Sequence, residues 1–215
     1  MPAVVPLIFL PGLLCDHALW QHQLAHLKDI SAPQVAVLTE HDSVAGMARH
    51  VLDSAPARFA LCGLSMGGYV AQEIMRQAPE RVERRALIDT SARADTPAQH
   101  ERRKGLIALA KTGKFKGVTP KLLPMLLSPE HLENKAMCDV VMDMAERVGR
   151  EAFVRQQTAI MGRPDGRESL SCITCPTMVI VGREDALTPP EHAAEMAQGI
   201  RGAELVVIEQ CGHLA

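Results

Sequence analysis

Short apolar runs rich in Val, Ile and Leu recur along the chain, end at similar punctuation, and alternate with helix-like segments. Their apolarity is continuous rather than alternating, which suits strands buried on both faces of a parallel sheet. Six runs predict strands: Val4 to Leu10, Gln34 to Thr39, Phe59 to Leu64, Arg85 to Thr90, Thr177 to Gly182 and Glu204 to Glu209. Between them, helical spacing predicts helices over Asp16 to Lys28, Ser43 to Ala55, Met66 to Gln77 and Pro190 to Ile200. In the third helix Met66, Val70 and Ile74 make one stripe with Ala71, Met75 and Ala78 beside it, and Pro79 stops it. The second has Asp42 or Ser43 as its N-cap, and Pro189-Pro190 opens the fourth. The expected class is α/β: a doubly wound, mostly parallel sheet of about six strands with helices on both faces, three layers in all.

The rhythm breaks between Thr90 and Thr177, where no strand signal is convincing. Segments near Pro97 to Lys111, Val118 to Leu127, Pro129 to Val148 and Arg150 to Met161 read as helical. The expectation is a helical cap insertion at 93–165, with 1–92 and 166–215 forming the core. The insertion is rich in Leu and Met, and most of these side chains must pack its helices on one another. Some are expected to face a site, since flexible Met surfaces suit adaptable apolar pockets. Met125 and Leu126 are candidates for that wall, and Trp20 and Tyr69 are divided between wall and core.

Composition narrows the function. The 215 residues are 47% hydrophobic and 22% charged, an ordinary globular balance, and a formal net charge of −2 offers no basic footprint for nucleic acid or an anionic membrane. The N-terminal MPAVVPLIFLPGLLCD lacks a basic leading region and carries three prolines, so it reads as a buried strand rather than an export signal. No run reaches the length of a membrane span, and a cytoplasmic location is expected. The six cysteines are scattered through a chain too large to need staples, so reduced thiols are expected. Cys172-Ile-Thr-Cys175 has no second pair to complete a zinc site, and His22 and His26, spaced i, i+4, have no third ligand in sequence. No metal or cofactor is called for.

The stretch "FALCGLSMGGY", Phe59 to Tyr69, places Ser65 where an apolar run meets a helix, with Gly63 and Gly67 at positions ±2. At an average glycine content of about 7%, chance flanks a given serine in this way about once in 200. A serine hydroxyl is a weak nucleophile until a base takes its proton and donors hold the oxyanion that follows. A strand-to-helix turn would expose the hydroxyl, the two glycines would avoid clashes there, and the Met66 N–H would serve as one oxyanion donor. The base would follow the last strand, where "CGHLA" places His213, and the acid would follow the fifth, where "VGREDALTPP" places Asp185. Asp89, ending the fourth strand, is the competing acid.

On "GLSMGG", "GREDALTPP" and "CGHLA", supported by "LPGLLCD" and the insertion, the chain resembles the α/β-hydrolase fold superfamily in its lid-bearing serine esterase and lactonase-like branch. The resemblance implies Ser65 as nucleophile, Asp185 as acid, His213 as base and the Leu13 N–H as second oxyanion donor. It implies a cofactor-independent enzyme acting on a small or medium ester, lactone or thioester through an acyl-enzyme. Carbon-carbon bond hydrolysis, acyl transfer and a non-catalytic ligand-binding role use the same constellation. Family members usually carry two further strands at the start and a helix after the histidine. Without that helix an apolar sheet face would be uncovered and His213 left on a fraying end, so the expectation is a truncated chain, or a partner or second copy covering the face.

Overall fold

The computed structural model describes residues 4–214. Six strands form one sheet: β1 (Val5–Leu10), β2 (Ser31–Val35), β3 (Phe59–Leu64), β4 (Val82–Ile88), β5 (Thr177–Gly182) and β6 (Glu204–Ile208). All neighbours are parallel, in the order β2-β1-β3-β4-β5-β6. The helices are α1 (Gln21–His26), α2 (Val44–Ser54), α3 (Met66–Gln77), α4 (Pro97–Leu109), α5 (Lys135–Met161) and α6 (Pro190–Gly199). Among the described residues no helix is long and apolar enough to cross a membrane.

Alternate side chains of the strands point to opposite faces, and each face has its own core. Ile8, Leu10, Leu61, Leu87, Val179 and Val181 pack with α2, α3 and α6, whose contributions include Met47, Val70, Ile74 and Met196. Phe9, Cys62, Leu64 and Ile88 pack on the opposite face with Trp20 and, from the segment around α1, Leu24 and Leu27. That second cover stops short of the far edge, where Met178, Val206 and Ile208 remain 38–39% exposed.

The second strand lies earlier than the sequence pattern predicts, at Ser31–Val35 rather than Gln34 to Thr39. Pro33 argues against a central strand, but β2 is an edge and bonds only to β1, so the missing N–H is tolerated there. Strand β4 likewise starts earlier than Arg85, because Val82 already pairs with Phe59. Among the described residues no strand forms between β4 and β5. The helix expected over Val118 to Leu127 is reduced to a single 3-10 turn at Leu123–Met125. The one expected from Pro129 begins at Lys135, where Asn134 caps it by accepting from the Met137 N–H. Gly149, at φ 78°, interrupts α5 between Val148 and Arg150.

Two smaller cores tie this intervening segment to the sheet. Cys15 packs with Leu123, Leu127, Cys138, Val141 and Met144, and Leu14 packs with Ala110, Ala145 and Phe153. The turn after β1 is thus clamped under α5. The chain's last described residues are held by the same segment: Leu214 N–H donates to the Leu126 carbonyl at 3.0 Å, and His213 is 4% exposed, so the histidine does not fray.

The tightest approach lies at the start of α3, where a Cβ on Gly67 would fall 1.9 Å from the Leu10 carbonyl oxygen. That oxygen is backbone in a paired strand and cannot swing away. Gly67→Ala is expected to cost about 3 kcal/mol or more of stability. Gly105, on α4 with nothing within 4 Å of its missing Cβ, is the contrast: Gly105→Ala should add about 0.5–1 kcal/mol. Urea unfolding of both variants, read at the midpoint with unchanged slope, checks the pair.

Candidate active site

The sheet order reverses direction between β1 and β3, and the loops leaving those strands part to opposite faces. In open α/β sheets this switch point leaves a crevice beyond the carboxyl ends of the strands. Ser65 follows β3 at this point with φ 53°, a left-handed conformation that is strained for a residue with a side chain. Its backbone is held from three directions: its N–H donates to Ile88 O at 2.9 Å, and its carbonyl accepts from Gly68 N–H at 2.9 Å and Thr90 Oγ1 at 2.8 Å. Gly63 and Gly67 face backbone where a Cβ would stand, and Gly68 faces the Thr90 side chain. Although Ser65 occupies the N-cap position of α3, its hydroxyl makes no capping bond. It lies instead 2.8 Å from His213 Nε2.

His213 Nδ1 lies 2.9 and 3.0 Å from the two carboxylate oxygens of Asp185. An ionised carboxylate only accepts, so Nδ1 carries the proton and Nε2 accepts from Ser65 Oγ–H. Asp185 is itself built into a tight turn after β5. Leu187 N–H and Thr188 N–H donate to Oδ1 at 2.8 and 3.0 Å, and Thr188 Oγ1 donates to Oδ2 at 2.7 Å. Burial, the largest single influence, pushes this carboxyl up, but the hydrogen bond and charge of His213 with the Thr188 donors outweigh it and hold the pKa at about 2. Asp89 makes a different contact: it is buried with φ 43°, and its Oδ1 accepts from Gly182 N–H at 2.8 Å, joining the ends of β4 and β5.

The turn after β1 faces Ser65 across the crevice. Cys15 N–H donates to Gly12 O at 3.1 Å, with Leu14 at φ 60° in the third position, as in a type II turn. Leu14 N–H is engaged by Gln156 Oε1 at 3.1 Å, while Gln156 Nε2 donates to Leu38 O at 3.1 Å. Gln156, Thr188, Thr90 and Gly68 escape the sequence reading; only the second glycine of "GG" and the threonine three residues after Asp185 leave a local trace.

Above Ser65 lies a cavity of about 640 Å³, with walls from the turn after β1, α4, residues 115–126, α5 and the loop after β5. Tyr69, Met125 and Leu126 line it, as do Leu13 and His213. Trp20 does not. It is 1% exposed and stacks on Phe9 with ring centroids 4.5 Å apart, on the sheet face away from α3, because the apolar ring of β1 offers it a closed core. Cys15 also lines the cavity, but burial and then the Asp16 charge push its thiol pKa up to about 12, so it stays protonated. Among the described residues no group of three His, Cys, Asp or Glu could hold a metal ion. His22 and His26 stack on each other on α1, and His41 pairs with His50 rather than with the cavity.

Known proteins resemble this chain in both sequence and fold. The Pimeloyl-[acyl-carrier protein] methyl ester esterase of Nitrosomonas europaea is 30% identical over 180 residues, covering 80% of this chain and 71% of the relative. A 2-hydroxy-6-oxononadienedioate/2-hydroxy-6-oxononatrienedioate hydrolase of Pseudomonas sp is 28% identical over 173 residues, 78% of this chain and 61% of the relative. The solved structure of a thermophilic esterase from Thermogutta terrifontis superposes with a TM-score of 0.85 at 28% identity, covering 98% of this chain and 83% of that one. The profile of the Alpha/beta hydrolase family matches residues 7–215. With that match over nearly the whole chain and the parallel sheet beneath it, the protein belongs to the alpha/beta hydrolase family and is a hydrolytic enzyme.

Proposed function

We propose that the protein is a serine hydrolase that cleaves a small or medium carboxylic ester, lactone or thioester through an acyl-enzyme. The observation that carries this reading is the continuous contact from Ser65 Oγ through His213 to the buried Asp185. Ser65 attacks the carbonyl carbon as His213 Nε2 takes its proton, and the imidazolium then delivers that proton to the leaving oxygen or sulfur. Water enters, gives a proton to the same nitrogen and attacks the acyl carbon; the bond from that carbon to Ser65 Oγ breaks, the imidazolium returns the proton to Oγ, and the acid leaves. Asp185 fixes the tautomer and stabilises the imidazolium without accepting a proton.

The oxyanion is held by the Met66 N–H, at the positive end of α3, and by the Leu13 N–H across the crevice. Engagement of the neighbouring Leu14 N–H by Gln156 favours Leu13 as the second donor. Residues 93–165 act as the cap, a reading supported by the cavity walls they supply. The named activity of the Pseudomonas relative favours a second reading, carbon-carbon cleavage of a diketone by the same residues; turnover of such a diketone with no turnover of any ester would select it.

Labelling with a fluorophosphonate tests the nucleophile without a guess at substrate. One equivalent should attach at Ser65 and none to Ser65→Ala, whose melting curve should match the parent; a folded parent that takes no label would overturn the proposal. On a substrate ester, Ser65→Ala and Asp185→Asn should each lower kcat by about 10⁴-fold or more.

The pH profile follows from the depressed carboxyl. A carboxyl held at about 2 is ionised in the folded protein at every usable pH. Its contribution to stability is complete above the ordinary aspartate value of about 4 and is lost as pH falls from there through the folded value. Lowering the pH from about 5 to about 2.5 should therefore destabilise the parent more than Asp185→Asn, read by urea unfolding at each pH; equal losses in the two would remove Asp185 as a paired buried carboxylate.

A further inference from the structure

The wall of the cavity above Ser65 is electrically one-sided. Arg93, Arg102, Arg103, Arg163 and Lys116 line it, and among its described lining residues there is no Asp or Glu. Arg93 is matched from outside by Glu195, which accepts from its Nε and Nη2 at 2.8 and 3.1 Å. Arg103 and Arg163 are not matched one to one. Both lean on a single carboxylate, Asp95, which accepts from Arg103 Nε and Arg163 Nη1 at 2.7 Å each.

The side chains of this trio are 21% exposed for Arg103, 7% for Arg163 and 2% for Asp95, so a group with a net charge of +1 is set into a largely buried wall. The remaining bonds are to neutral acceptors. Arg103 Nη1 donates to Gln157 Oε1 at 2.7 Å, and Arg163 donates to the Arg93 and Ile160 carbonyls at 3.0 and 2.9 Å. Arg163 also lies over the ring of Tyr69, 4.2 Å from its centroid, and Tyr69 lines the same cavity. In neither arginine does Nη2 donate to a protein atom among the described residues. An excess charge removed from water is costly unless it is paired, and the planar guanidinium fork matches the two oxygens of a carboxylate bidentately.

We propose that Arg103 and Arg163 form a subsite for a carboxylate on the far end of the substrate's acyl chain, so that the preferred substrates are carboxylate-bearing esters, such as half-esters of dicarboxylic acids. The inference rests on the ester-hydrolase reading above and adds the substrate class. Tyr69 stands four residues along α3 from Ser65, roughly 6 Å of helix rise. Ser65, Tyr69, Arg103 and Arg163 line the same cavity, so an alkyl chain lying in it can join the nucleophile to the guanidinium groups. Apolar side chains such as Leu13, Leu106, Phe153 and Ile160 also line the cavity and suit the methylenes between the two ends.

The test pairs monomethyl esters of straight-chain dicarboxylic acids with methyl esters of monocarboxylic acids of equal length. Binding is measured by calorimetry on Ser65→Ala, and kcat/KM on the parent. At the best chain length the half-ester should bind, and turn over, about tenfold better or more. In Arg103→Gln that ratio should fall to within about twofold; should this variant not fold, Arg103→Lys, which keeps the charge and loses the fork, should show an intermediate ratio. Equal binding of both esters would overturn the subsite, and turnover of both would then leave the hydrolase reading standing. Preferential binding of the half-ester with no turnover of either would uphold the subsite and sink the hydrolase reading.

Discussion

The site depends on how closely the start of α3 is pressed against the ends of β1 and β4. Where a Cβ on Gly67 would stand, the Leu10 carbonyl is already present, and where one on Gly68 would stand, the Thr90 side chain is. This contact forces the chain to turn from strand to helix at Ser65 alone, at a φ of 53°. Such a conformation costs about 1–3 kcal/mol and persists only when its surroundings over-determine it. Here the bonds to Ile88, Gly68 and Thr90 supply that restraint. The consequence is chemical: a serine at a helix N-terminus ordinarily caps the helix, whereas this hydroxyl is turned outward to His213.

The second requirement is a buried charge that stays a charge. Asp185 loses water on burial, and the backbone of its own turn, Thr188 and the imidazole replace what was lost. Ordinary stabilisation of a carboxylate here doubles as orientation of a ring. The histidine loop is fixed from the opposite side by the segment between β4 and β5, since Leu126 accepts from Leu214 and a Cβ on Gly212 would lie 2.8 Å from the backbone of Leu127. The intervening helices therefore do more than roof the cavity. Through Gln156 they hold the turn after β1, and through Leu126 they hold the loop that carries His213.

The cavity combines two environments. Its apolar side comes from Leu, Met and Phe residues on the intervening segment and from the turn after β1. Its charged side comes from arginines whose compensating carboxylates, Asp95 and Glu195, stand behind the wall and not in it. A chain that is mildly acidic overall thus presents a cationic interior at one place. Net charge has no bearing on the field inside a particular cavity.

Much of this was legible in the sequence because it is written in short range. Continuous apolar runs mark parallel strands, Ser43 and the prolines at 79 and 189–190 mark helix ends, the predicted break between Val148 and Arg150 falls at Gly149 in α5, and "GLSMGG" marks a turn too tight for side chains. These signals act within a few residues, and local sterics are enough to produce them. Tertiary structure decided what depends on partners far along the chain. Pro33 is admitted to β2 only because that strand is an edge, and Trp20 enters the core only because Phe9 offers a ring. Gln156 meets Leu14 across 142 positions, and Asp95 is shared by two arginines only once α4 and α5 have packed. No periodicity records such pairings, because hydrogen bonds and buried charges are settled by proximity in space, and proximity exists only after the chain has folded.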